Sequence, residues 1–397
     1  IFYKFLIIIP HKAEKCYDRV RDRKNFAGGK KMRFMHIADV HLGAAPDHSY
    51  PWAKARGKEL WEGFRRCIAD ANEKKVDLLL IAGDLFDRRP EIKELNEVNY
   101  LFSTLEKTVV VLIAGNRDYL EPASPYLTYQ WNENVITIFS EQLERIRLPE
   151  LKLEIYGMSY HHREISESVM TGVRAEKNDY FKILLLHGGD ASHIPLNKDE
   201  LLDAGFDYIA LGHLHNPQVY IRNLAVYAGA PEPVCAEDIG AHGYVIGDIQ
   251  KKKVHISFVE MEGRRYLEKT VELTETDNPF SVQEKICRVI EEGGAQNMYR
   301  ITLAGERDPG FSVQVREYLK CGRVLSVSDQ TVPAFHLELL KKKYEGKLIG
   351  RFIESFGDDG PTSVTEEKAL YYGLEALLYP NGLSEKKAGR RGKSSGD

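Results

Sequence analysis

Three short runs constrain this chain most: VDLLLIAGD at 76–84, VVVLIAG at 109–115 and KILLLHGG at 182–189. Each is an apolar stretch of strand length that does not alternate with polar residues and stops at glycine and a polar side chain. A strand with one wet face alternates; a strand without alternation is covered on both faces. Just before the first of them lies AKARGKELWEGFRRCIADANEKK at 53–75, where Leu60, Phe64, Cys67, Ile68 and Ala71 recur at helical spacing. IKELNEVNYLFSTLEK at 92–107 predicts a second helix. With MRFMHIADVHLG at 32–43 as the first strand, the order is strand, helix, strand, helix, strand, which specifies an α/β layered fold.

After Glu150 the strands crowd together: LKLEIYG, KILLLHGG, FDYIALGHLH, LAVYAGA, GYVIGDI and KVHISFVEM. The middle of this region implies a second sheet, so the body expected over 32–262 is two packed sheets flanked by helices. Residues 263–330 repeat strand, helix, strand, helix, strand on a smaller scale, from RYLEKTVELTE to RVLSVSD. Two helical stretches follow over 331–380. FHLELLKKKYEGKLIGRFIESF places Leu337, Leu340, Tyr344, Leu348 and Phe352 near one face, and VTEEKALYYGLEALLYP carries Leu370, Leu374, Leu377 and Leu378. Such amphipathic helices either pack on their own chain or dock a partner. The polar, basic end, 381–397, is expected to be disordered.

The chain opens on Ile1 and IFYKFLIIIP, which is too short to span a bilayer and lacks the basic segment and cleavage site of a secretory signal. AGGKKM at 27–32 fits a purine-rich coding stretch ahead of a start codon, so Met32 is the expected first residue and 1–31 a leader; the competing reading is a disordered extension. A net charge of −4 over 397 residues confines nucleic-acid contact to local patches. The five cysteines, Cys16, Cys67, Cys235, Cys287 and Cys321, are scattered without a CxxC pair, as reduced cytoplasmic thiols are.

The chemistry sits at strand ends. Asp39 with His41, Gly83-Asp84, Gly115-Asn116, His187-Gly188, and Gly212-His213-Leu214-His215 each follow an apolar run. Carboxyl ends of strands in an α/β sheet converge on one crevice. Carboxylate, amide and imidazole donors without thiolate suit manganese, iron or zinc better than copper. Seven such donors exceed one ion but suit two sharing a bridge, which clamp one phosphoryl group. The glycines before Asp84, Asn116 and His213 are expected to supply the tight turns that aim each side chain inward.

DVH, GDLFDR, GNRD, HGG and GHLH resemble, in order and spacing, the calcineurin-like metallophosphoesterases, whose pattern is DxH, GDxxD, GNH(D/E), H and GHxH. MRFMHIADVHLG, GDLFDRR and YAGAPEP further resemble the SbcD-type DNA repair exonucleases. The resemblance implies a four-layer metallophosphoesterase sandwich with a smaller α/β cap domain and C-terminal helices, and two divalent ions, foremost Mn2+. Asp39, His41 and His215 would hold one ion, Asp84 would bridge, and Asn116, His187 and His213 would hold the other. It also implies DNA as substrate, an SbcC-like coiled-coil ATPase as partner, a homodimer, no membrane and a cytoplasmic location. A small-nucleotide phosphodiesterase or phosphatase, or a weakly active protein that binds DNA ends within an ATPase complex, shares the same motifs.

Arg117 departs from that pattern, because the family places a phosphate-facing histidine after the asparagine. Imidazole hands over a proton near neutrality; guanidinium does not. Arginine still offers fixed positive charge and a planar pair of donors. For most of the remaining polar residues alternative readings stand. His36 is a core histidine or orients a ligand. His161 and His162 reach substrate or are surface groups, and His193 carries no assigned role. Asp87 and Arg88 position a loop, contact phosphate, or form a solvated turn. Arg264, Arg265 and Lys269 touch phosphates or are merely solvated.

Overall fold

The computed structural model describes residues 31–357 and 360–379, so the leader expected up to residue 31 and the tail expected from 381 lie, save Lys31, outside the described residues. The chain divides into two compact units, residues 1–265 and 266–397.

In the first unit β1 (Met32–Ile37), β2 (Leu78–Ala82), β3 (Val109–Ile113) and β4 (Val135–Thr137) run parallel, joined through α1 (Ala53–Glu73), α2 (Ile92–Ser103) and the single turn α3 (Pro125–Thr128). A second sheet follows, built from β5 (Glu144–Leu148), β6 (Leu153–Gly157), β7 (Phe181–His187), β8 (Tyr208–Gly212), β9 (Gln218–Ile221) and β10 (Ala225–Tyr227), in the order β5-β6-β7-β8-β10-β9. The chain then returns: β11 (Gly243–Gln250) pairs antiparallel with β1, and β12 (Lys253–Glu260) forms the edge, giving β12-β11-β1-β2-β3-β4.

The unbroken apolar runs are explained by where alternate residues go. Leu78 and Leu80 enter the core between the sheets, with Phe34, Val111, Ile113, Ile183 and Leu185. Leu79 and Ile81 face the other way, against Phe64, Cys67 and Ile68 of α1 and Leu95, Val98 and Phe102 of α2. Leu184, Leu186, Ile209 and Leu211 pack outward under Ile194, Phe206 and Leu201, the last on the short helix α4 (Lys198–Asp203). Each such side chain contributes roughly 1.5–3 kcal/mol of burial. The result is the four-layer α/β sandwich, with the apolar strands of both sheets sealed on each face.

The second unit is a parallel sheet of β13 (Tyr266–Leu273), β14 (Met298–Arg307) and β15 (Val324–Asp329), extended by β16 (Val332–Pro333). Its core joins Val271, Leu273, Ile301 and Leu303 to Val282, Ile286 and Ile290 of α5 (Pro279–Gly293), which Asn278 caps by accepting from the Phe280 and Ser281 amides. Of FSVQVREYLKCG only α6 (Val315–Tyr318) is helical. The stretch read as one helix over 335–356 is two, α7 (Leu337–Lys343) and α8 (Leu348–Glu354). Gly346, at φ +69°, takes the left-handed conformation between them and breaks the register. Ile353 packs on Leu370 and Leu374 of α9 (Val364–Leu378).

The β11–β12 hairpin turns through Lys251 and Lys252, at φ +49° and +60°, between paired Gln250 and Lys253. Two left-handed residues make a type I′ turn, for which Asn-Gly is the unstrained choice. Replacing Lys251 with Asn together with Lys252 with Gly is expected to stabilise the chain by roughly 1 kcal/mol. Urea denaturation of both proteins measures it, and an unchanged or lower midpoint refutes it.

Candidate metal centre

The turns after β1, β2 and β8 are strained at the ligand positions themselves. Asp39 (φ +53°), His41 (+50°), Asp84 (+48°) and His213 (+102°) all sit at positive φ, a conformation that costs a non-glycine residue on the order of 1–3 kcal/mol. Main-chain bonds stitch the first two turns together: Asp39 N donates to Gly83 O (3.2 Å), His41 N to Asp84 O (3.1 Å) and Leu42 N to Leu85 O (3.0 Å). The buried Asp118 carboxylate ties in the turn after β3, accepting from Gly115 N (2.8 Å), Phe86 N (3.2 Å) and the Tyr126 hydroxyl (3.0 Å). Burial and the Asp84 charge push Asp118 up to about 7.

Of the three glycines expected to make tight turns, Gly83 alone has a positive φ (+85°). Gly115 and Gly212 are needed for room instead. A Cβ on Gly115 would stand 2.2 Å from Asp84 Oδ1, and one on Gly212 would stand 2.0 Å from Ala82 O. At two of the three sites, then, glycine lets loops from different strands interlock, and after Gly212 the positive φ falls on the following His213.

The seven expected residues converge. Asp39, His41 and His215 form one tight group, and Asp39, Asp84 and His187 another, their donor atoms within 4.8 Å of one another. Asn116 Oδ1 lies 2.9 Å from His187 Nε2 and 3.2 Å from His213 Nδ1. The donor set itself shows what belongs there. His41 Nδ1 bonds Asp87 (3.1 Å) and His215 Nδ1 bonds Asp238 (2.9 Å), so each ring presents its Nε2 lone pair to the other across 3.1 Å. His187 Nδ1 donates to Ala82 O (2.8 Å), leaving its Nε2 facing the acceptors Asn116 Oδ1 and, at 3.3 Å, Asp84 Oδ2. Lone pairs so opposed require a cation between them, either a proton or a metal ion. The residues therefore fit divalent metal.

The protonation equilibria agree. Burial opposes charge on His187, but the Asp84 carboxylate outweighs it and holds the imidazole up at about 9. His215 is raised to about 11 against its own burial by Asp238. The buried Asp84 is in turn held well below the usual carboxylate range by His187 and His41.

Beyond the seven, the structure brings in residues that motif reading left aside. Asp190 accepts from His213 Nε2 (2.7 Å) and His193 Nδ1 (2.9 Å), and the His193 and His213 rings lie 4.6 Å apart. Asp190, His193 and His213 form a further donor cluster, as do His215, Cys235 and Asp238. The i, i+3 pair in HGGDASH was the available signal for the first; nothing in APEPVCAED marked Asp238. Three of the four central histidines thus lean on a carboxylate and His187 on a carbonyl, which fixes ring orientation.

The remaining candidates, Arg117 excepted, stand outside this cluster. His36 is buried, bonded to the Tyr208 hydroxyl (3.0 Å) and pushed down to about 3 by burial. His161 bonds Phe139 O (2.8 Å), and the exposed His162 stands 3.5 Å from Glu141. Arg88 braces its loop by donating two hydrogen bonds to the Glu94 carboxylate (3.0 Å each). Arg264 and Arg265 pair with Glu59 and Glu260, while Lys269 is exposed. Arg117 donates its backbone N–H to Asp84 Oδ1 (2.8 Å) and its Nη2 to Asp87 Oδ1 (3.0 Å). Its side chain is 40% exposed and lines a pocket of about 400 Å³ with His41, Asp84, Asn116, His213 and His215.

Residues 32–217 match the family model described as calcineurin-like phosphoesterase, and this part of the chain is a calcineurin-like metallophosphoesterase domain. The chain is a phosphoester hydrolase by that membership, and the family binds divalent metals. It is 28% identical over 296 residues to the uncharacterized metallophosphoesterase YhaO of Bacillus subtilis, covering 69% of this chain and 72% of that one. It is 29% identical over 265 residues to the DNA double-strand break repair protein Mre11 of Methanocaldococcus jannaschii, covering 60% and 69%. A subunit of the nuclease SbcCD from Staphylococcus epidermidis is 24% identical over 387 residues, covering 85% and 96%. Among the described residues no helix is long and apolar enough to cross a membrane.

Two outcomes test this centre. Gly115→Ala is expected to displace Asp84 and weaken divalent-metal binding by roughly 10- to 100-fold with the fold retained; unchanged affinity by calorimetry counts against the interlock. Metal uptake at about pH 7 is expected to release protons, because His187 and His215 hold theirs up to about 9 and 11. Calorimetry in buffers of different ionisation heat reads the release, and buffer-independent heats refute it. In the metal-free chain the sign reverses: the raised His187 stabilises the fold fully below its free value of 6.5, and that contribution is lost as pH rises through about 9.

Proposed function

We propose that this chain is a metal-dependent DNA nuclease, an exonuclease of the SbcD type, altered by Arg117. The observation that carries the reading is the match to a relative named as part of a nuclease across 96% of that relative's length, and the seven donor side chains gathered at the strand ends support it. In it Asp39, His41 and His215 hold one ion, Asn116, His187 and His213 the other, and Asp84 bridges. The pair is proposed to be Mn2+, suited by oxygen and imidazole donors. Bound ions supply Lewis-acid charge at phosphoryl oxygens and make water acidic enough to attack at neutral pH. Asp87, Asp238 and Asp190 hold the imidazoles in the tautomers that face inward.

The same reading places the protein in the cytoplasm, as a homodimer working with an SbcC-like coiled-coil ATPase on DNA ends. Its support is the names of the relatives, one a component of SbcCD and several double-strand break repair proteins. Arg117 favours a second reading, a weakly active protein that binds DNA ends. The guanidinium lines the pocket, where it grips phosphate oxygens, but it donates no proton to a leaving oxygen. Loss of acid catalysis costs roughly a hundredfold to ten-thousandfold in rate.

The test is Mn2+-dependent cleavage of DNA with defined ends, run for wild type and Arg117→His beside a small phosphodiester. Expected are cleavage of DNA in preference to the small ester and a gain of at least about tenfold on substitution. No gain in Arg117→His sinks the proposed role of Arg117. Preference for the small ester sinks the nuclease reading.

A further inference from the structure

At the opposite end of β7 from the metal centre lies a second concavity. Lys182, the second residue of β7, stands five residues before His187, roughly 16 Å along an extended strand. The pocket it helps line has a volume of about 760 Å³, within the usual span of small-molecule sites. Lys182 is only 6% exposed, yet its ammonium donates just to two main-chain carbonyls, Tyr180 O (3.0 Å) and Asn178 O (3.4 Å). Among the described residues no carboxylate makes an ion pair with it. A buried ammonium without a counter-charge is expensive, and this one borders a space large enough to admit an anion.

The rest of the lining is of mixed charge, two cations and two carboxylates. Arg174 and Lys177 add two exposed cations. The two carboxylates of the lining are engaged: Glu176 pairs with Arg145 and Arg147, and Asp203 lies 3.8 Å from Arg174. One deep lysine at the start of β7 and two cations at the rim, on the loop that leads into it, suit a compact anion such as phosphate. No lining residue is aromatic, so nothing there stacks a base. The geometry points to a binding site for a phosphate group, free or as a phosphomonoester, held by Lys182, Arg174 and Lys177 and separate from the metal centre.

The site is tested by calorimetry on the full chain after treatment with a chelator, so that phosphate has no metal to bind. Inorganic phosphate and a deoxynucleoside 5′-monophosphate are the two probes, and they separate the free ion from the ester. Expected is one ligand per chain, weakened about tenfold or more by Lys182→Met and severalfold by Lys177→Gln. Lys177 is exposed, so that variant keeps the fold if Lys182→Met does not. Uptake of neither probe, uptake that both substitutions leave unchanged, or uptake of duplex DNA alone overturns the site. None of these outcomes depends on nuclease activity, so a failed nuclease assay leaves the result readable.

Discussion

The metal centre depends on two sheets ending at the same place. His187 closes β7 and donates to Ala82 O, which closes β2, across 2.8 Å; Asp39, just beyond β1, accepts the His213 amide, just beyond β8, at 3.0 Å. These bonds join the carboxyl ends of parallel strands from different layers, so relative sliding of the sheets would separate donors that must lie within a few ångströms. The core between the sheets, where Leu78 and Leu80 meet Ile183 and Leu185, holds the register that the bonds read out. Four ligands at positive φ are then tolerated because the surrounding structure determines them.

The second constraint is which nitrogen each imidazole shows. An unheld histidine samples both tautomers and several ring angles. Asp87, Asp238 and Asp190 remove that freedom for His41, His215 and His213 by accepting from the outward nitrogen. Asp87 also accepts from Arg117, so one carboxylate orients a central histidine and steadies the residue that departs from the family pattern. His41 and Arg117 keep Asp87 ionised against its partial burial. The arginine is thereby part of the electrostatics of the centre as well as of the pocket.

Much of this was legible in the chain. The unalternating runs at 76–84 and 109–115 specified strands covered on both faces, and the polar residues closing the apolar runs included all seven donors that meet. What was not legible depended on contacts between distant segments. Asp190, His193 and Asp238 enter through loops whose place is set by tertiary packing; the i, i+3 spacing in HGGDASH is the one short signal for the first two, and none marks Asp238. The reason for Gly115 and Gly212 was likewise hidden, since a turn and a close approach leave the same letter in the sequence. The break at Gly346 was missed because the apolar spacing of Leu337, Leu340, Tyr344, Leu348 and Phe352 continues across it. Periodicity reports which faces are apolar, not whether the backbone between them is one helix.

Arg117 shows how far geometry alone carries the chemistry. Its backbone N–H bonds Asp84 whatever its side chain, so the turn that presents Asn116 does not need histidine at this position. The side chain then decides what meets the phosphate: a titratable ring that gives up a proton, or a permanent cation that only stabilises charge. On the proposed reading, metal holding and proton delivery are thus separable on this loop, the first assigned to Asn116 and the main chain, the second to one exposed side chain. A substitution here is expected to leave the centre assembled while changing the proposed step.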